Sequence, residues 1–183
     1  MITAEILGRL NAKSQDFTGL PPGYGGITPA DIAGSMAGLD RGSQLVLMAR
    51  YCQYPGLERE LMYRLWNYAV DVSIEFGWPK PPKGQELLRK LSRLAVLENV
   101  YPLPCRRCSG KKRVMRREGY AIICPRCTGG GTHTLNNRER CEITGLTYYQ
   151  WQQWEPRYKL LSDAINYWDN DGIRHVKKQL RFS

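Results

Sequence analysis

The chain has 183 residues, 42% hydrophobic and 24% charged, which suits one packed domain with room for a small appended module and excludes wholesale disorder. No apolar run approaches the length of a membrane span, and the opening MITAEILGRL lacks the apolar stretch of a secretory signal, so the expectation is neither a membrane nor a secreted protein. Lys and Arg number 27 against 17 Asp and Glu, a formal charge of +10 that points to a polyanionic partner, nucleic acid first.

Residues 1–29 form an N-terminal segment, expected to be irregular or mobile. It holds a short amphipathic stretch (Ile2, Ile6, Leu7, Leu10) and a Gly/Pro-rich linker over 14–30. A helical domain follows over 30–104. Thr28-Pro29 reads as N-cap and first helical position, opening a helix of small residues over 29–38. Residues 42–52 form a second apolar stretch. Residues 57–76 read as a long helix, with Leu57, Leu61, Leu65, Tyr68, Val72 and Phe76 recurring every three or four positions. Trp78-Pro-Lys-Pro-Pro82 ends it. A further helix covers 84–99, with Leu87, Leu88, Leu91, Leu94, Ala95 and Leu97 as its core face. Pro102 and Pro104 close the helical part.

Residues 105–127 carry most of the net charge: Arg106, Arg107, Lys111, Lys112, Arg113, Arg116, Arg117 and Arg126 against Glu118 alone. The same segment holds four of the six cysteines, as Cys105-x2-Cys108 and Cys124-x2-Cys127 with 15 residues between the pairs. Two CxxC turns at such spacing can aim four thiolates at one ion and complete a tetrahedral shell. Soft thiolates favour Zn2+, with iron the lesser choice. Four thiolates leave no position for water, so one structural zinc is expected rather than a catalytic one. Disulfides fit poorly, since nothing in the sequence speaks for an oxidising compartment. Val114 and Met115 on one arm and Tyr120–Ile123 on the other predict a short ribbon turning at Glu118-Gly119, with Gly110 and Gly129 supplying unusual dihedrals after each pair. His133, six residues past Cys127, is an alternative ligand, but with four cysteines present it reads as a surface residue, and Cys52 and Cys141 read as small buried hydrophobes.

Gly129–Gly131 leads into the last region, 132–183. Residues 136–143 predict a short helix, Gly145 a turn, and Thr147 the cap of a second helix over 147–154, together a helix-turn-helix-like segment. Leu146, Trp151 and Trp154 then face inward. Tyr148, Tyr149, Gln150, Gln152 and Gln153 project outward, where Gln side chains can read adenine edges; Thr147 and Arg157 complete this candidate contact set. Arg140 stands where such motifs usually place an apolar residue. Pro156 is expected to break or kink the helix, which resumes over 156–168. The basic tail with His175, Lys177, Lys178 and Arg181 reads as solvated. There is no phosphate-binding loop, HExxH or nucleophile elbow, so no catalytic residue is assigned and the chain is expected not to be an enzyme.

The run CRRCSG, then CPRCTGGG, then LTYYQWQQWEPRYKLL after a helical half resembles the Q antitermination proteins of lambdoid bacteriophages, in the lambda Q branch. The matching positions are the paired CxxC-x-G knuckles and Leu146, Thr147, Trp151, Pro156 and Tyr158. The resemblance covers residues 30–168. The first knuckle departs from it, continuing Gly110-Lys111 where the family tends to place a second glycine. DnaJ-type chaperones share such knuckles but carry four of them and a His-Pro-Asp motif, both missing here. The resemblance implies a mainly α fold, a helical bundle with an inserted zinc-binding loop or ribbon. It implies a duplex-DNA-binding regulator in the cytoplasm of a bacterial host. Such proteins bind near a phage late promoter and load onto RNA polymerase paused there with its sigma factor, so that pauses and terminators are read through. The alternative is a zinc-ribbon RNA-binding or ribosome-associated protein, which the basic segment alone would suit. A chaperone-like adaptor ranks lower because cations, not apolar residues, line the knuckles.

Overall fold

The computed structural model describes residues 34–52, 54, 56–81, 84–117 and 119–180. The expectations for residues 1–29 and for the Thr28-Pro29 helix start lie outside them. Among the described residues the elements run α1 (Arg41–Arg50), α2 (Glu58–Glu75), α3 (Gln85–Asn99), β1 (Arg113–Met115), β2 (Ala121–Ile123), α4 (Asn137–Thr144) and α5 (Tyr148–Gln179). The fold is mainly helical, and the paired strands sit between α3 and α4 in the chain.

Local chemistry accounts for the helix ends. The Asp40 carboxylate caps α1 by accepting from the Gly42 N–H at 2.8 Å. Glu58 and Glu60 sit in the first turn of α2, where carboxylates oppose the helix dipole. Both α4 and α5 begin with reciprocal capping boxes, Asn136 with Glu139 and Thr147 with Gln150. Gly145 ends α4 in the left-handed region at φ 73°, a conformation open to glycine without steric cost.

The long helix α5 is the spine, packing on α1, α3 and α4, while α2 packs on α3 and α1. Their shared core holds Leu45, Leu61, Leu65, Leu91, Leu94, Trp151, Leu161 and Ile165, all fully buried. Tyr68 and Phe76, placed on the core face of α2 by periodicity, are exposed. At Gly42 and Gly172 the spine meets α1 so closely that an added Cβ would lie 2.5 Å from the Trp168 ring and 2.8 Å from Leu47 respectively. The predicted solvated tail is corrected in part. Residues to Gln179 are the end of α5, with Val176 fully buried beside Met36 and Leu47, while Lys177 and Lys178 stay exposed.

Pro156 does not break the helix, which runs through it for 32 residues. Proline there costs about 3 kcal/mol by removing one ladder bond and crowding the preceding turn. Trp151 and Trp154 before it, and Tyr158 and Leu161 after it, all enter the same core, each contributing about 1.5–3 kcal/mol of burial. The apolar stripe on both sides outweighs the local defect.

Candidate functional site

The two CxxC turns fold as near copies of one another. Ser109 and Thr128, each following the second cysteine of its pair, have φ 48°, and Gly110 and Gly129 after them have φ 82° and 86°. Two residues further on, Lys112 and Gly131 are again left-handed at 64° and 81°. The copies clasp each other: the Cys124 N–H donates to the Lys112 carbonyl at 2.9 Å, and the Cys105 N–H to the Gly131 carbonyl at 2.8 Å.

This arrangement brings Cys105, Cys108, Cys124 and Cys127 together with all four sulfurs within 4.8 Å of one another. Cys105 and Cys124 Sγ are 3.9 Å apart, and Cys108 and Cys127 Sγ 3.7 Å. A tetrahedral ion with metal–sulfur bonds of about 2.3 Å has sulfurs about 3.8 Å apart, so the spacing fits one metal ion. Backbone amides favour the ligating thiolate. The Cys108 N–H, helped by that of Arg107, brings the Cys105 thiol down to about 6 against the effect of its burial. At Cys124 burial pulls the other way, but the N–H groups of Cys127 and Arg126 outweigh it and lower the thiol. Burial, with the Cys127 sulfur beside it, pushes the Cys108 thiol up to about 11. The Gly131 N–H donates to Cys127 Sγ at 3.3 Å.

Lys112 stands in a left-handed conformation that costs a side-chain-bearing residue about 1–2 kcal/mol. Lys112→Gly should therefore hold metal more firmly, by up to about 1 kcal/mol once the added freedom of the unfolded chain is counted. Slower metal release to a chelator would show it. Faster release would mean that the Lys112 stem, 3.1 Å from the Cβ position of Gly131, matters more than its backbone strain.

Arg106, Arg107, Lys111, Lys112, Arg113, Arg116, Arg117 and Arg126 are all exposed around this centre. β1 and β2 pair antiparallel with Arg113 opposite Ile123, Val114 opposite Ile122 and Met115 opposite Ala121. Val114 packs against the cysteines. The hairpin turn is closed by the Arg116 N–H donating to the Tyr120 carbonyl at 3.0 Å.

One contact closes the base of this module and another ties it to α4 of the bundle. Pro104 and Thr132 form an antiparallel bridge flanked by the His133 N–H donating to the Leu103 carbonyl at 2.7 Å. The His133 side chain, read from sequence as a surface group, is only 6% exposed and lies 2.9 Å from the Glu139 carboxylate. It is not part of the sulfur cluster. Glu139 also caps α4 and reaches Arg106 at 3.4 Å. The Asn136 N–H first, then His133, hold its carboxyl below the usual range. Its contribution is complete above the ordinary carboxylate range and is lost as pH falls through the lowered value. The sequence signal for this joint was the Asn136-x-x-Glu139 capping pattern, which fixes where the carboxylate stands.

The second predicted contact set is divided by the structure. Tyr148 and Tyr149 are exposed at 58% and 69%, and Thr147, Gln152 and Gln153 are exposed too. Gln150 Oε1 instead accepts from the Thr147 N–H at 3.0 Å, so its amide is held in the cap. Arg157 folds back: its guanidinium lies 5.2 Å from the Trp154 ring and 6.0 Å from Trp78, and donates to the Gln153 carbonyl at 2.6 Å. Both residues make intramolecular contacts because the first turn needs its orphan N–H groups filled and the indole faces attract a cation. The sequence reading also missed Glu98, on α3, which pairs with Arg140 at 3.1 Å and accepts from the Tyr158 hydroxyl.

No family model matches the chain, and no curated protein matches it. No helix among the described residues is long and apolar enough to cross a membrane.

Proposed function

We propose that this chain is a duplex-DNA-binding transcription antitermination factor of the lambda Q kind, in which one structural Zn2+ on Cys105, Cys108, Cys124 and Cys127 stiffens a cationic ribbon. The observation that carries the binding half is the sulfur cluster surrounded by eight exposed cations on a segment with a single acidic residue. A metal-fixed loop presents those charges without the ordering cost a free loop would incur on binding. Each neutralised phosphate releases counterions, so binding is steeply salt dependent. The antitermination half rests on the resemblance over 30–168. Its partners are duplex DNA and host RNA polymerase engaged with sigma factor at a promoter-proximal pause. The zinc supplies no reaction step, since its four thiolates leave no open position.

The test is selection from a randomised duplex-DNA pool, with structured RNA of matched length as competitor and salt as the variable. The expected result is enrichment of one DNA sequence and a log–log salt slope steeper than about −4, as several neutralised phosphates require. Equal binding to every ligand would reject the reading and favour the zinc-ribbon RNA-binding alternative. The enriched element, placed beside a promoter with a downstream terminator, should permit read-through by polymerase when the protein is added.

A further inference from the structure

The β1–β2 hairpin carries an exposed face that the metal centre does not use. In an antiparallel pair, directly opposed residues share a face, and successive residues along a strand change face. Val114 and Ile122, opposite each other, are half-buried on the cysteine side. Arg113 and Ile123, with Met115 and Ala121, therefore form the other face. All four are exposed, Met115 at 69% and Ile123 at 63%. Met115, Ala121 and Ile123 thus lie together on one exposed face beside Arg113, a contiguous apolar patch bordered by cations rather than scattered residues. Arg116 and Arg117 stand at its end, and Arg107 and Arg126 lie in the two CxxC turns at its base.

We propose that this hairpin enters the DNA major groove and reads base edges with Arg113, Met115 and Ile123, while Arg116 and Arg117 grip the flanking phosphates. The inference rests on the duplex-DNA reading above and reassigns its sequence-reading element from α5 to the ribbon. Charge complementarity selects a polyanion as the occupant, and shape selects the groove. Two strands about 4.8 Å apart, with side chains, form a ribbon close to the ~12 Å width of the major groove and too broad for the ~6 Å minor groove. With one face on the base edges, the strands run along the groove and the side chains of that face supply the reach into it. The Arg113 fork matches the two acceptors of guanine, and methionine and isoleucine match the methyl group of thymine. Arg113 and Met115 lie about 6.8 Å apart along β1, two base-pair rises, so the ribbon reads about three base pairs. Phosphate contacts alone would leave the apolar pair without a role, since they carry no sequence information.

Two full-length variants test this, each first checked for one equivalent of zinc and an unchanged helical signal. Met115→Ser with Ile123→Ser should keep the salt slope and lose at least about tenfold in preference for the selected element over a scrambled duplex. Arg116→Gln with Arg117→Gln should keep that preference and flatten the slope by about 1.8. If the serine variant keeps full preference, the ribbon does not read bases and the inference fails, while duplex selection by the parent protein would still stand. If the parent protein selects no duplex sequence at all, the DNA reading falls and the inference with it.

Discussion

Cys124→Ser should strip the metal and unfold residues 105–131 while leaving most of the helical signal in place. Cys124 is fully buried among the other three sulfurs, and its N–H is one half of the clasp between the two knuckles. Serine offers a hard, protonated oxygen where a soft thiolate is needed, so metal affinity should fall by more than the ~100-fold typical of losing a supporting hydrogen bond. The module has little else to hold it: its apolar cluster is three cysteines with Val114 and Cys127 packed on them. Folding of such a module and metal binding are one event. The bundle has its own core, from Leu45 to Trp168, with no residue from the ribbon in it. Metal analysis, limited proteolysis and circular dichroism on one sample separate the two parts. Protein that retained one equivalent of zinc would refute the four-cysteine centre. Loss of helix together with the metal would show that the bundle depends on the ribbon.

The parts of this structure that were legible in the sequence are those governed by local rules. The CxxC spacing gathers four sulfurs because a three-bond turn and its glycines dictate where the thiols point. The α2 and α3 boundaries followed from three-to-four-residue periodicity, and the α5 start from Thr147 as cap. What escaped depends on partners remote in the chain. Pro156 was read by its local cost, but the two apolar stripes it joins meet the same core. The tail was read by its lysines, but Gly172 and Val176 pack on Leu47 of α1. Gln150 was read as a free amide, though its spacing from Thr147 is that of a capping box. His133 reads as a surface group because its burial depends on the position of α4, which brings Glu139 against it and Arg106.

Arg140 shows the same limit and carries the other large prediction. It looked like a polar intruder at an apolar position, but it is the centre of the joint between α3, α4 and α5. Its guanidinium lies 5.8 Å from the Trp151 ring and 5.7 Å from the Tyr158 ring, and pairs with Glu98 at 3.1 Å. Glu98 is 14% exposed and Arg140 20%, so both are largely out of water. The Tyr158 hydroxyl donates to the other Glu98 oxygen, and burial first, then Glu98, push that hydroxyl well above its ordinary value. Glu98→Ala leaves a desolvated cation with the two rings and the Asn137 side chain, at 3.3 Å, but no carboxylate, and takes from the buried phenol the acceptor it has in Glu98. Breaking one side of such a pair costs about 3 kcal/mol or more, which for a chain of this size lowers Tm by roughly 6–12 °C. Glu98→Gln keeps an acceptor for the tyrosine and should recover part of that. Glu98→Leu combined with Arg140→Met removes both charges and should recover most of it, because a buried ion pair is worth little more than an apolar pair of similar shape. Thermal unfolding of the three variants at unchanged zinc content decides the matter. If Glu98→Ala shifted Tm by less than about 2 °C, or if the double change were as damaging as the single one, the joint would be held by the aromatic rings alone. The same joint sets α4 against the start of α5 and lies beside the exit of the ribbon at Thr132 and His133, where the ribbon meets the bundle.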